Sequence, residues 1–159
     1  PESPLLIVGQ LSVTDPTRVP AGKQLLWIQV RVLPAVPRGD AVSGKRAITP
    51  APWPQIKEKY ADRVLDKLEM YAPGVKGKIL KRVVYSPADL ENENPNLAGG
   101  DSLAGSHHLD QFYMFRPIPG WSRYETPVKG LYMVGAATWP GAGLHAASGY
   151  LLGQELLDL

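Results

Sequence analysis

The stretch GAATWPGAGLHAASG, Gly135–Gly149, follows a short apolar run and opens a segment of helical composition. Within it, Gly141 to Ala146 fits the pattern G-x-G-x-x-G/A at the junction of an expected strand and an expected helix. Glycines at such a junction let a ligand approach the backbone, and the first free N–H groups of the helix point at that ligand. A complete dinucleotide-binding unit also needs a further strand and an acidic residue about twenty positions on. Between Gly143 and Leu159 there is room for a helix alone. Taken by itself the turn is a weak signal, and a tight connection with no ligand explains it at least as well.

The bulk composition excludes several classes. The chain has 159 residues, enough for a hydrophobic core, with 44% hydrophobic and 20% charged residues, as in ordinary globular proteins. A net charge of +2 gives no basic face for nucleic acid. With no cysteine there is no disulfide, thiolate nucleophile or cysteine-ligated metal. No apolar run reaches the length of a membrane span, and no signal peptide is visible. Sixteen glycines and sixteen prolines imply many turns. The first residue is Pro1, so the expectation is a processed chain or part of a longer one.

Working back from the turn, Leu131–Val134 is expected as a short buried strand, and Leu144–Leu157 as a helix with Leu144, Ala147, Leu151 and Leu152 inward. Nearer the start, Leu5–Val8 is an apolar run closed by Gly9-Gln10, and Ser12–Gly22 is an irregular connection. Leu25–Leu33 has strand alternation, with Leu26, Ile28, Val30 and Val32 on one face and Trp27, Gln29 and Arg31 on the other. Pro34–Pro54 is loop. From Pro54, the residues Ile56, Tyr60, Val64 and Leu68 recur every four positions among charged neighbours, which predicts an amphipathic helix ending at Pro73-Gly74. Lys78–Tyr85 is expected as a second alternating strand, and Asn92–Ser106 as a long loop.

Two of these stretches carry a resemblance. LYMVGAATWPGAG, Leu131–Gly143, with the small-residue helix after it, resembles the carboxy-terminal flavin motif of phytoene-desaturase-like oxidoreductases, within the FAD-dependent amine-oxidase-like group. LDQFYMFRPIPGWSRYETPVKGLYMVG, Leu109–Gly135, is similar to the same region of the phytoene-dehydrogenase-related branch, and Val13–Val30 more faintly resembles its substrate-domain strands. The resemblance implies a mixed α/β chain. Residues 1–95 would be part of an antiparallel-sheet substrate domain, and 96–159 the return to an FAD-binding domain with its last strand and helix. It also implies FAD as cofactor, an amino-terminal FAD-binding half as the main partner, and hydride transfer from a small apolar or amphipathic substrate. A cytoplasmic location follows, with membrane-surface association and homo-oligomerisation left open. The alternative is a non-catalytic subunit that completes a partner's cofactor site.

Carried over by position, the resemblance puts Gly135 and Ala136 beside the ribityl chain. It puts the backbone N–H groups of Gly143, Leu144 and His145 near N1 and the C2 carbonyl of the isoalloxazine. His145 and Trp139 are the candidates for catalytic roles. Trp139 stands where many relatives have histidine, and His145-Ala146 where carotenoid desaturases have Pro-Gly, so the resemblance does not fix the substrate class. Other features have plainer explanations. His107, His108 and His145 lack metal-ligand spacing. Phe112, Tyr113, Phe115, Trp121 and Tyr124 could line a channel, but core is the commoner role. Arg116 could pair with an anion, a structural ion pair being commoner. Asp110 has no visible carboxylate partner, and Ser102, Ser106 and Ser148 form no nucleophile elbow.

Overall fold

The computed structural model describes residues 1–106, 108–143 and 145–157. They form two compact units, Pro1–Asn94 and Pro95–Leu159. The secondary structure is mixed, mainly helical with one small antiparallel sheet.

In the first unit, strand β1 (Leu5–Gly9) pairs antiparallel with β2 (Trp27–Arg31), in register from Leu5 opposite Arg31 to Gly9 opposite Trp27. A short helix α1 (Leu11–Thr14) lies in the connection. Alternation places Leu6, Ile28 and Val30 on one face, where they pack on Trp53, Ile56, Tyr60 and Val64. Those four residues belong to α2 (Trp53–Tyr71), whose apolar stripe is the one the sequence predicts. Pro54 sits in its first turn, where a missing N–H leaves nothing unpaired. The predicted strand Leu25–Leu33 is shorter than expected. Val32 has φ of +60° and is 86% exposed, a conformation in which a β-branched residue cannot continue the ladder.

The loop between β2 and α2 is held by charge. Arg63 lies on the buried face of α2 with its side chain 7% exposed, and its guanidinium donates to both carboxylate oxygens of Asp40, at 2.8 and 2.6 Å. It also donates to the Arg46 carbonyl at 3.1 Å, while Asp40 accepts from the amides of Val42 and Ile48. The Trp53 indole donates to the Pro34 carbonyl at 2.9 Å. A proline-rich segment without regular structure is thereby tied to the helix at several points.

Two sequence expectations fail beyond α2. Lys78–Tyr85 is not a strand: no other strand of the described residues pairs with it, and Leu80, Val83 and Tyr85 are exposed. Side chains fasten the segment instead, with Lys76 on Asp66 and Arg82 on Glu58 and Asp62 of α2. A helix, α3 (Pro87–Glu93), follows where none was expected. Ser86 caps it, accepting from the Asp89 amide, while Asp89 accepts from the Ser86 amide at 2.7 Å. That reciprocal box is written in the sequence as Ser-Pro-Ala-Asp, with proline at the first helical position.

The second unit has little regular structure before α4 (Ala147–Leu157). Leu131–Val134 is neither a strand nor buried. Its one ladder contact is a bridge between Glu125 and Tyr132, and all four residues are exposed. A buried strand needs elements packed over its faces as well as ladder partners, and beyond this bridge no strand of the described residues pairs with it. Helix α4 begins at Ala147 rather than Leu144, which lies outside the described residues; Ala146 before it has φ of +48°. Ser148 is its buried residue, with Ala147, Leu151 and Leu152 half-buried. No helix of the described residues is long and apolar enough to cross a membrane.

The Arg63 pair yields a stability prediction. Asp40→Asn leaves a buried guanidinium without its counter-charge and should cost about 3–5 kcal/mol in urea unfolding at pH 7. A loss below about 1 kcal/mol would contradict the buried pair. Acid provides a second check. Arg63 holds the Asp40 carboxyl well below the ordinary carboxylate range, and the Ser86 hydroxyl, with Lys57, brings Asp89 down to about 2. Both groups bind protons less readily in the folded chain. Their stabilisation should therefore be complete above about pH 4 and should fade as the pH drops toward 2, with the unfolding midpoint falling over that interval.

Candidate functional site

The glycine-rich turn is pinned from within by polar side chains. Thr138, 1% exposed, donates its hydroxyl and its amide to the Gly135 carbonyl, at 2.9 and 3.1 Å. Ser148 on α4 accepts the Gly135 amide at 3.0 Å, joining the turn to the helix that follows it. The hydroxyl of buried Tyr124 donates to the Trp139 carbonyl at 3.1 Å.

Arg116 is the centre of this arrangement, 3% exposed. Its Nε donates to the Gln111 carbonyl at 2.7 Å and its Nη2 to that of Ser106 at 2.9 Å. Its Nη1 donates to the carbonyls of Ala136 and Ala104, at 2.8 and 2.9 Å, and more weakly to Leu103 at 3.4 Å. The Phe112 ring lies 5.5 Å from the guanidinium carbon. Among the described residues no carboxylate forms an ion pair with it. The structural ion pair expected for Arg116 is therefore replaced by carbonyl dipoles and an aromatic face. Asp101 shapes the same loop by accepting the amides of Leu103 and Gly105.

The outer side of the turn is open. Gly135 is exposed with φ of +129°, and a Cβ built there would meet nothing within 4 Å. Such a backbone can be approached closely by a planar or extended ligand. Ala136 beside it is half-buried, and its carbonyl is held by Arg116. A Cβ on Gly143 would overlap the His145 ring, and His145 itself is exposed. His145 Nδ1 accepts the amide of Ala147 at 3.0 Å, so the histidine caps the opening of α4 with its own side chain. The amides of Ser148 and Gly149 belong to the first turn, where an α-helix offers no partner of its own. The amides of this helix start are a donor set that fits an anionic or hydrogen-bond-accepting ring edge, and the open backbone at Gly135 leaves room for such a ring to approach.

The remaining sequence candidates are dispersed. The Trp139 ring lies 5.7 Å from that of Tyr113, tilted by 55°. Of the aromatic cluster expected as core, Tyr124 is buried and Phe112 half-buried, whereas Tyr113, Phe115 and Trp121 are exposed, because the unit buries polar groups at its centre. Asp110 and His108 are exposed, the latter's amide donating to Ser106 Oγ. His107 and Leu144 lie outside the described residues. Of the residues that position the turn, sequence reasoning misses Thr138; it places Tyr124 in the core and weighs Ser148 only as a nucleophile, without the hydrogen bonds that tie both to the turn. A threonine three positions after Gly135 and a serine in the first turn of the last helix are the signals that point to two of them.

No family model matches the sequence, and no solved structure matches it. Curated relatives do. A mouse pyridine nucleotide-disulfide oxidoreductase domain-containing protein 2 is 36% identical over 148 residues, 93% of this chain and 24% of the relative. The neurosporene-forming phytoene desaturase of Rhodobacter capsulatus is 35% identical over 157 residues, 96% of this chain and 27% of the relative. A limonene dehydrogenase subunit of Castellaniella defragrans is 33% identical over 118 residues, 70% of this chain and 22% of the relative. The chain thus spans about a quarter of the length of the curated relatives it matches. By this similarity the chain belongs to the phytoene-desaturase-like family and matches the carboxy-terminal portion of its members.

Proposed function

We propose that the chain is the carboxy-terminal part of an FAD-dependent oxidoreductase whose amino-terminal part carries most of the cofactor site. The observation that carries this proposal is similarity along nearly the whole chain to a phytoene desaturase and to an oxidoreductase domain protein. The open backbone at Gly135 supports it. When bound, the flavin supplies a two-electron acceptor: an apolar or amphipathic substrate gives it a hydride and loses a proton to solvent, leaving a new carbon–carbon double bond, with oxygen or a quinone as final acceptor.

The residues of this chain bind and orient. Gly135 lets the cofactor lie against the backbone, and Ser148 and Thr138 hold that backbone still. The first turn of α4 would supply hydrogen-bond donors to the ring edge where negative charge develops. A helix start stabilises an adjacent anion by about 0.3–1 kcal/mol, and by up to about 2 when partly buried. For a two-electron couple about 2 kcal/mol is roughly 40 mV, enough to tune a flavin. His145 must turn away from the Ala147 amide for that amide to join. A second proposal, a non-catalytic subunit completing a partner's site, draws on the limonene dehydrogenase relative being a named subunit. A companion polypeptide in the intact mass of the preparation, carrying all of the flavin chemistry, would favour it.

Flavin content of the complete enzyme tests the main proposal. The parent should be yellow with stoichiometric FAD, and a colourless parent would remove the basis of the assignment. Gly135→Val should lose FAD. Gly130→Val, also a positive-φ glycine in open space but away from the turn, should retain it and so controls for backbone strain. Equal retention by the two variants would contradict a cofactor at Gly135. His145→Ala frees the Ala147 amide and should bind FAD at least as tightly as the parent, measured by fluorescence titration. Weaker binding would assign the imidazole itself to the cofactor.

A further inference from the structure

We propose that Arg116 is a positioning residue of the cofactor site, and that its charge is balanced by the negative charge a flavin acquires on reduction; this rests on the flavin proposal above. A guanidinium in a protein interior is costly unless both its N–H groups and its charge are compensated. In the first unit Arg63 has both, through the two oxygens of Asp40. Arg116 is at least as buried, yet its partners are five carbonyls and the face of Phe112. Dipoles engage all three guanidinium nitrogens and leave the unit charge in place.

That charge stands directly behind the turn. Four of the carbonyls, those of Leu103, Ala104, Ser106 and Gln111, belong to one loop, and the fifth is that of Ala136 in the glycine-rich turn. The side chain also backs Gly141: a Cβ built there would sit 3.7 Å from Arg116 Nε and 3.8 Å from Cδ. One side chain therefore ties loop 103–111 to turn 135–141 and lays a cation behind the backbone whose outer side is open at Gly135. An anion arriving on that outer side meets a charge that no carboxylate of the described residues neutralises. The guanidinium itself is buried, so water screens the attraction less than it would between two surface charges. Two effects follow: the turn keeps its shape, and the reduced cofactor is favoured over the oxidised one.

The complete enzyme separates these effects with Arg116→Lys and Arg116→Met, each followed by thermal melting, flavin titration and equilibration with redox dyes. Lysine keeps the charge but cannot reach five carbonyls, so flavin binding should weaken at least roughly tenfold while the midpoint potential stays at the parent value. Methionine should weaken binding similarly and also disfavour the reduced form roughly tenfold, lowering the potential by about 30 mV. A parent-like potential in Arg116→Met overturns the charge role, since a purely structural loss would not move it. If the methionine variant does not accumulate, parent-like binding in Arg116→Lys overturns the positioning role. A parent enzyme that binds no flavin overturns the flavin proposal itself, and is told apart because the unmodified protein is then colourless.

Discussion

The second unit depends on a buried cation held by carbonyl dipoles. Arg116 draws together the carbonyls of Leu103, Ala104, Ser106, Gln111 and Ala136, and with them the loop and the turn that frame the open glycine backbone. Carbonyl groups in loops ordinarily find water; here one planar, five-donor group takes the place of several waters. Removing it would leave those carbonyls unpaired in a centre that also contains Thr138, Ser148 and the Tyr124 hydroxyl. The unit is therefore organised by polar geometry more than by apolar burial, which explains why most of its aromatic rings and the run Leu131–Val134 remain on the surface.

The first unit solves the same problem in the ordinary way. Its amphipathic helix and its strand pair bury an apolar cluster, and its interior guanidinium meets a carboxylate. Side-chain pairs then hold the extended segment beyond α2 in place without a ladder. Exposed ion pairs of this kind contribute little individually, so they steer the chain more than they stabilise it. Both units share one habit: irregular, proline- and glycine-rich backbone is fastened by a single arginine that reaches several partners at once.

Local patterns are legible wherever one element settles its own environment. The period-four apolar stripe of Ile56, Tyr60, Val64 and Leu68, and the alternation around Ile28 and Val30, require nothing from distant residues beyond a surface to lie on. The cap of α3 is equally legible in Ser86 and Asp89, but the alternation of the residues just before it competes for attention and points to a sheet. Lys78–Tyr85 and Leu131–Val134 show the opposite case. Alternation or an apolar run states a preference for a sheet, but pairing needs a neighbour with free amides and carbonyls, and none of the described residues forms a strand beside them.

At the candidate site, sequence by itself determined which residues are small enough to let a ligand reach the backbone, and the resemblance carried by Leu131–Gly143 pointed to the family found by comparison. Tertiary structure alone decided where α4 starts, that His145 folds back onto the Ala147 amide, and that Arg116 serves carbonyls. The reason is reach. Glycine acts through what it lacks, at its own position, whereas an arginine or histidine side chain chooses among partners ten or twenty residues away or just across a turn, and only the folded path of the backbone brings one of them within hydrogen-bonding distance.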